Sequence, residues 1–498
     1  MISMTLAEIA EVVGGTLQAG AQPEATVTGF VEFDSRKVTK GGLFVALPGE
    51  RVDGHRFAQA ACEKGAVAVL AAREVEAPSI LVQPKSSADA DVFAAVVDAL
   101  TALATEISRR LTEAGKLTIV GVTGSAGKTS TKDLLNAVLS CDGPTVAPPG
   151  SFNNEIGHPY TVLRCDDTTE YLVAEMSARG VGHIAHLASI ARPRIGVVLN
   201  VGSAHLGEFG SRENIAQAKG ELVEALPAAT EGGIAILNAD DVFVAAMDKR
   251  TDAKVVYYSA ATPPMRQADY YATDIELDNV ARASFTLHGP GFDPVPVQLG
   301  VFGQHQVSNA LAAAAAGIES GMSANDVARC LSTHRAASEH RMDVRTRADG
   351  LTVINDSYNA NPESMRAAVA ALAYTASANP GSRAIAVLGP MGELGNDGIQ
   401  AHRDLGEELA RFNVTHAVAV GGDELISATA DAAEARGVVV YRAPDAAQAA
   451  EAVNEIVRQR PADLPDGSDV VLVKASNSAR LWRVAQALTD SPEADHTA

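Results

Sequence analysis

The stretch GVTGSAGKTS, from Gly121 to Ser130, holds the residue types that can cradle a phosphate chain. Gly124 and Gly127 let the backbone turn and approach an anion closely. Lys128 can reach β- and γ-phosphates, and the Thr129 hydroxyl can ligate Mg2+ from the first turn of a helix. Thr123, Ser125, Ala126 and Ser130 complete the loop. The full phosphate-loop pattern asks for a glycine five residues before Gly127, and Val122 stands there. The stretch is therefore either a shortened phosphate loop or a glycine-rich turn with a solvated lysine.

Other reactive side chains stand just beyond apolar runs. Ligands of open α/β sheets bind past the carboxyl ends of strands. Glu175 closes YLVAEM, where it can ligate Mg2+ or merely cap the next helix. Asn200 and His205 follow IGVVL; the histidine can hold a divalent metal, orient an acid, or decorate a surface loop. Lys219, in SRENIAQAKGELVEAL, reads by itself as a solvated helical lysine beside glutamates. Asn153 and Asn154 offer amides from PGSFNNEIGHP. Asp356, in INDSYNANPESM, suits a ribose hydroxyl or an Asx turn. Polar loops on strand ends in two α/β units point to a cleft.

The elements that must position these groups follow from hydrophobic patterning. LFVAL, VAVLAA and SILVQ read as buried strands, and a helix spans about Ala88 to Leu111. LTIVGVTG then TSTKDLLNAVLS gives the strand, loop and helix that a phosphate loop requires. YLVAEM, IGVVLNV and GIAILNAD continue a parallel sheet. Period-two stretches between about Tyr270 and Gly300 predict hairpins, and QVSNALAAAAAGIESG a long helix. LTVIND, RAIAVLGP, HAVAVGGD, GVVVYRAP and DVVLVKAS repeat the α/β rhythm. The fold expected is α/β in three domains, 1–112, 113–337 and 338–498: an N-terminal α/β unit, a central P-loop-type, mostly parallel sheet, and a C-terminal Rossmann-like unit.

Composition narrows the function classes. A chain of 498 residues exceeds one ordinary core. The net charge of -21 argues against nucleic acid as the main partner, though a local cluster of donors can hold a triphosphate. MISMTLAEIAEVVGG lacks the basic start and long apolar core of a signal peptide, and no stretch has the length of a charge-free transmembrane helix. The expectation is a cytoplasmic protein with no membrane partner. Cys62, Cys141, Cys165 and Cys330 lie far apart with no CxxC pair. They are expected to be small buried hydrophobes in a reducing compartment, neither a zinc site nor a disulfide framework.

Taken together, DSRKVTKGGLFVALPGERVDGHRF, TGSAGKTSTK, GSFNNEIGHP, NVGSAHLGEFGS, AQAKGE, NDSYNANPESM, GPMGELG and VKASNSARL resemble the Mur ligases, ATP-dependent amide-forming enzymes of peptidoglycan precursor synthesis. The resemblance runs over nearly the whole chain and is nearest to the members that join D-alanyl-D-alanine to UDP-N-acetylmuramoyl-tripeptide. It also accounts for Val122, because the family uses a shortened TGxxGKT loop, which Thr123 to Thr129 match. It implies that Lys128 holds the β- and γ-phosphates and Thr129 one Mg2+. Glu175 and His205 resemble metal ligands, and Lys219 matches a lysine carried as a carbamate, an oxygen-bearing anion suited to Mg2+. Asn309, Arg341 and Asp356 resemble base and ribose contacts. Asp34, Ser35 and Arg36 resemble the motif around the uridine diphosphate. Asn153, Asn154, Ser177 and Arg179 are implied toward the muramoyl-peptide, and Lys474 and Ser476 toward the dipeptide or reacting centre. The implied partners are ATP and the two small-molecule substrates, acting on a monomer. The chain departs from the family at His305-Gln306, His340 and Pro390. The alternatives are a ligase adding the third residue, a folylpolyglutamate synthase, or a P-loop ATPase that ligates nothing. The D-N-P-R motif of the first is absent, and the second would lack the DSRKVTKGGLFVALPGE region.

Overall fold

Apolar, β-branched runs fold into three successive large sheets in the computed structural model, which describes residues 1–49, 52–202, 206–263, 267–335, 338–461 and 468–490. His205 therefore lies outside the described residues, as does Ala337 at the limit expected between 337 and 338. The N-terminal sheet has five strands, in the order Thr16–Gln18, Ser79–Leu81, Ala68–Ala71, Leu43–Val45 and Val31–Glu32.

The central sheet has nine strands. Its Thr118–Thr123 strand pairs in parallel with Tyr171–Glu175 on one side and Ile195–Val198 on the other. The chain thus leaves this strand toward both sides of the sheet, and a crevice opens past its carboxyl end, where α/β sheets bind ligands. Both neighbouring strands are buried throughout, as strands covered on two faces must be. The far edge is built from Tyr270–Leu277, Arg282–His288 and Val295–Phe302, paired antiparallel. Burial alternates along them, so one face stays wet.

The third sheet has six strands, parallel except for the antiparallel edge strand Asp343–Thr346. Thr352–Asn355, Val470–Lys474 and Ala384–Leu388 lie side by side, so Asp356, Ala475 and Gly389 leave the sheet along one rim.

Two helices organise these layers, one joining the first sheet to the second and one packing within the central unit. Asp89–Glu113 buries Val92, Val96, Leu100, Leu103, Ile107 and Leu111 at helical spacing. They join one apolar cluster that runs from Leu43 and Leu70 of the first sheet to Leu172 and Ala174 of the second. Gln306–Glu319 is buried along almost its whole length, and its run of alanines lets it pack closely on the helix Lys128–Leu139.

The cysteine expectation needs one correction. Cys141 and Cys330 form a disulfide across a sequence separation of 189, with Cα atoms 6.7 Å apart. Cys62 and Cys165 are free thiols, and burial pushes Cys165 up to about 12. The pair arises because the Lys128–Leu139 and Ala324–Thr333 helices pack together, a contact that spacing along the chain does not report. No helix of the described residues is long and apolar enough to cross a membrane.

Candidate active site

The loop after Thr118–Thr123 is held by its neighbours before any ligand arrives. Asn200 clamps it from the adjacent strand end: its Oδ1 accepts from Ala126 N at 2.9 Å and its Nδ2 donates to Ala126 O at 3.0 Å. The Asn200 carbonyl accepts from Ser125 N, and Ser125 Oγ accepts from Gly202 N at 2.9 Å. Gly127 sits at φ +83°, and a Cβ there would meet Asn309 Oδ1 at 2.7 Å, so both conformation and space require glycine. Lys128 Nζ folds back onto the loop, donating to Gly124 O at 2.7 Å. Burial lowers its pKa, against the opposing charge of Glu175. A phosphate would offer this ammonium better acceptors than those carbonyls. Thr123 is buried with an unpartnered hydroxyl.

Thr129 is buried beside Glu175, to whose Oε1 its hydroxyl donates at 3.3 Å; Asn153 Nδ2 donates to the same oxygen at 2.6 Å. Glu175 Oε2 is buried with no hydrogen-bond partner. An uncompensated carboxylate oxygen is costly. Here it stands in a hard-oxygen environment, and that donor set fits a divalent cation. Lys219, on the helix Arg212–Glu224, is 4% exposed, not solvated as its local pattern suggested. Its pKa is lowered well below the ordinary lysine value by burial and then by the charge of Lys128. A neutral amine is the form that can take up CO2 as a carbamate.

The third sheet closes over this floor. Arg341 Nη2 donates to Thr129 Oγ1 at 3.2 Å and to Ser151 Oγ at 3.0 Å, and its guanidinium stacks over Tyr358 at 4.2 Å. Its Nε is buried without a partner. Asp356 Oδ2 accepts from Lys474 Nζ at 2.5 Å, and Asp356 Oδ1 from Met342 N at 3.2 Å. Lys474 also donates to Asn359 O at 2.8 Å, so its ammonium holds the 356–359 turn in shape. Asn361 Nδ2 reaches Ser125 O at 3.5 Å. Between the two units lies a cleft of about 1030 Å³. The structure brings Lys128, Thr129, Ser130, Asn153, Asn154, Glu175, Ser177, Arg179, Asn309, Arg341, Asp356, Lys474 and Ser476 to its walls. A second cavity of about 450 Å³ adjoins it behind His305 and Ser308, lined by Val307, Ile275, Leu277 and Tyr374.

Some expectations sit elsewhere. Asp34, Ser35 and Arg36 do not line the cleft, and neither do Lys219, Thr123 and Gly124, which are buried outside its walls. Asp34 pairs with Arg36 at 2.8 Å, which holds the carboxyl at about 2. Asn154 is partly spent locally, accepting from Gly157 N at 2.9 Å. Ser151 and the loop-clamping role of Asn200 were missed; the only local signal was their position just past strand or glycine punctuation.

Comparison with known proteins decides the family. The family models for the Mur ligase catalytic, middle and glutamate ligase domains match residues 28–110, 122–317 and 340–477. This chain belongs to the Mur ligase family. Among curated Mur ligases, the UDP-N-acetylmuramoyl-tripeptide–D-alanyl-D-alanine ligase of Mycobacterium tuberculosis is 50% identical, over 98% of each chain. That of Escherichia coli is 34% identical over 99% of each. A MurF crystal structure from Acinetobacter baumannii superimposes with a TM-score of 0.82 at 29% identity, covering 98% of this chain and 99% of that one. MurF from Thermotoga maritima, solved with ADP, gives 0.73 at 28% identity, covering 93% and 97%. The Mur ligase architecture, three α/β domains with mostly parallel sheets, is the one expected from the sequence.

Proposed function

We propose that this Mur ligase joins D-alanyl-D-alanine to UDP-N-acetylmuramoyl-tripeptide at the expense of ATP, giving ADP, phosphate and the UDP-muramoyl-pentapeptide. The observation that carries the reading is the meeting, in one cleft, of Lys128 and Thr129, the unpartnered Glu175 oxygen, and Arg341 from the opposite unit. The curated relatives named for this reaction, similar over nearly their whole length, support the choice of substrates.

In the first step, a carboxylate oxygen of the tripeptide attacks the γ-phosphorus of ATP, the bridging bond to the β-phosphate breaks, and an acyl phosphate and ADP form. Two anions must meet, so the work of the site is charge neutralisation and in-line placement. Lys128 and Arg341 supply fixed positive charge. Thr129, Glu175 and a carbamylated Lys219, together with His205, would hold a Mg2+ ion, which would add to the neutralisation of the phosphates. In the second step, the neutral amine of the dipeptide attacks the acyl carbon. The carbon–oxygen bond to phosphate breaks, and the nitrogen loses one proton. Cations around the cleft stabilise the tetrahedral oxyanion.

The loop from Thr123 to Ser130 holds the triphosphate, and Asp356 and Asn309 lie toward the ribose and base. The apolar cavity behind His305 has the chemistry to take a purine. Asn153, Asn154, Ser177 and Arg179 face the muramoyl-peptide, Lys474 and Ser476 border the dipeptide, and Asp34, Ser35 and Arg36 lie toward the uridine diphosphate. We divide the chain into domains at 1–112, 113–337 and 338–498. We place a monomer in the cytoplasm, where ATP and nucleotide-linked precursors are made. Cytosolic proteins rarely keep disulfides. The Cys141–Cys330 pair argues the other way, and a thiol count on protein from cytoplasmic extract decides it.

The test is phosphate release from ATP with both substrates, either, or neither, together with the product mass. Release that rises only when both are present, with the pentapeptide mass, supports the ligase. Release indifferent to them leaves a P-loop ATPase.

A further inference from the structure

The helix that carries Lys219 also holds a segment that lines the cleft. Glu221, two residues on, is 5% exposed. Its Oε1 accepts from Gly182 N at 2.5 Å and its Oε2 from Ala185 N at 2.9 Å. These are the N-cap and third amides of the helix His183–Ile190. A helix start leaves such amides without partners, and an N-cap side chain normally takes one of them. The N-cap residue here is Gly182, at φ +92°, with no side chain to offer. One carboxylate from another helix does the work of both halves of a capping box, and its negative charge meets the positive end of the helix. Gly220, between the two functional residues, is also constrained: a Cβ there would stand 1.9 Å from Arg250, which donates to the carbonyls of Ala216 and Gln217.

The capped helix start lines the cleft. Gly182, His183 and His186 face it, and Ser177 and Arg179 lie just upstream. Ser177 Oγ donates to Asn153 O at 3.0 Å, and Asn153 in turn donates to Glu175. Residues 177–186 are thus anchored at one end through Asn153 and at the other by Glu221.

We infer that Glu221 is a positioning residue for the muramoyl-peptide side of the cleft, fixing the 177–186 segment from the Lys219 helix. It touches no reacting atom. The inference rests on the reading of Ser177 and Arg179 as contacts to the UDP-muramoyl-tripeptide. It makes the spacing of Lys219 and Glu221 a functional unit: one helix sets both the carbamate and the substrate-binding segment.

The experiment is steady-state kinetics on Glu221→Gln and, in parallel, Arg179→Ala, with each KM measured separately. The glutamine keeps the shape but sets an NH2 group against an amide N–H. Loss of a cap of usual size corresponds to roughly tenfold in an equilibrium. The expected result is a KM for UDP-muramoyl-tripeptide raised by roughly that factor, with the KM for ATP within about twofold. Arg179→Ala should raise the same KM. If Arg179→Ala raises it and Glu221→Gln does not, the cap is merely structural and the inference fails while the site reading stands. If neither raises it, the site reading fails as well. Equal changes for all substrates, with a lowered Tm, also overturn the inference. Should Glu221→Gln not fold, Glu221→Asp, which keeps the charge on a shorter arm, is read by the same criteria.

Discussion

Lys219 is where burial reverses what a helical pattern says. The glutamates near it in sequence suggest a solvated ion pair, yet the side chain is buried and its proton affinity depressed by desolvation and by Lys128. A neutral amine attacks CO2, forming a C–N bond and releasing a proton, and the product is an anion of oxygen donors suited to a hard cation. Lys219→Ala should lose at least the roughly 10–100-fold that removal of a group around a metal costs. A short carboxylic acid added to the assay should restore part of the turnover by filling the same place. A fully active variant, or one that no acid rescues, would remove the carbamate from the account. Glu175 presents the complementary case: its identity and strand-end position were legible, but only the structure shows one oxygen engaged and the other unpartnered.

At the scale of elements, the phosphate loop owes its shape to the next strand as much as to its glycines. Asn200 bonds Ala126 through both amide atoms, across a sequence distance of 74. Asn200→Ala should raise the KM for ATP by roughly tenfold, the equivalent of one or two lost hydrogen bonds, with the fold intact. An unchanged KM would mean that the glycines suffice. A second element carries a cost. His158, on the short helix Gly157–Val162, is 1% exposed with Nε2 unpartnered, and burial lowers its pKa to about 4. The ordinary value is 6.5, so below that pH the unfolded chain binds a proton that the folded chain refuses. Stability should fall as pH drops from 6.5 toward 4 and level off below. Between pH 7.5 and 5 the loss should be about 2 kcal/mol. Denaturant melts of wild type and His158→Leu check this: the variant should lose less over that interval, and parallel losses would contradict it.

These elements also show why the sequence was readable in part. The strands and the loop follow from runs of β-branched residues ending in glycine, because parallel strands buried on both faces leave little choice of side chain. Asn200, Ser151, Glu221 and the Cys141–Cys330 pair act on partners far away in sequence, and nothing in their neighbours' pattern encodes that. His340 differs again: it holds φ +60°, a left-handed conformation uncommon for a residue with a side chain, and stacks on Trp482 with ring centroids 5.6 Å apart.

At the scale of the molecule, the central and C-terminal units meet around the cleft through Arg341 on Thr129, Asn361 on Ser125, and Arg179 with Glu393 at 3.5 Å. An acyl phosphate is consumed by water, so such an arrangement protects the intermediate while the dipeptide arrives. The central claim is that the bond made first joins a carboxylate oxygen to the γ-phosphorus. It can be followed by labelling the terminal carboxylate of the UDP-muramoyl-tripeptide with 18O and weighing the phosphate released during ligation. The account predicts one 18O atom carried into each phosphate, matched to pentapeptide formed. Phosphate without label, at full ligation, would contradict it.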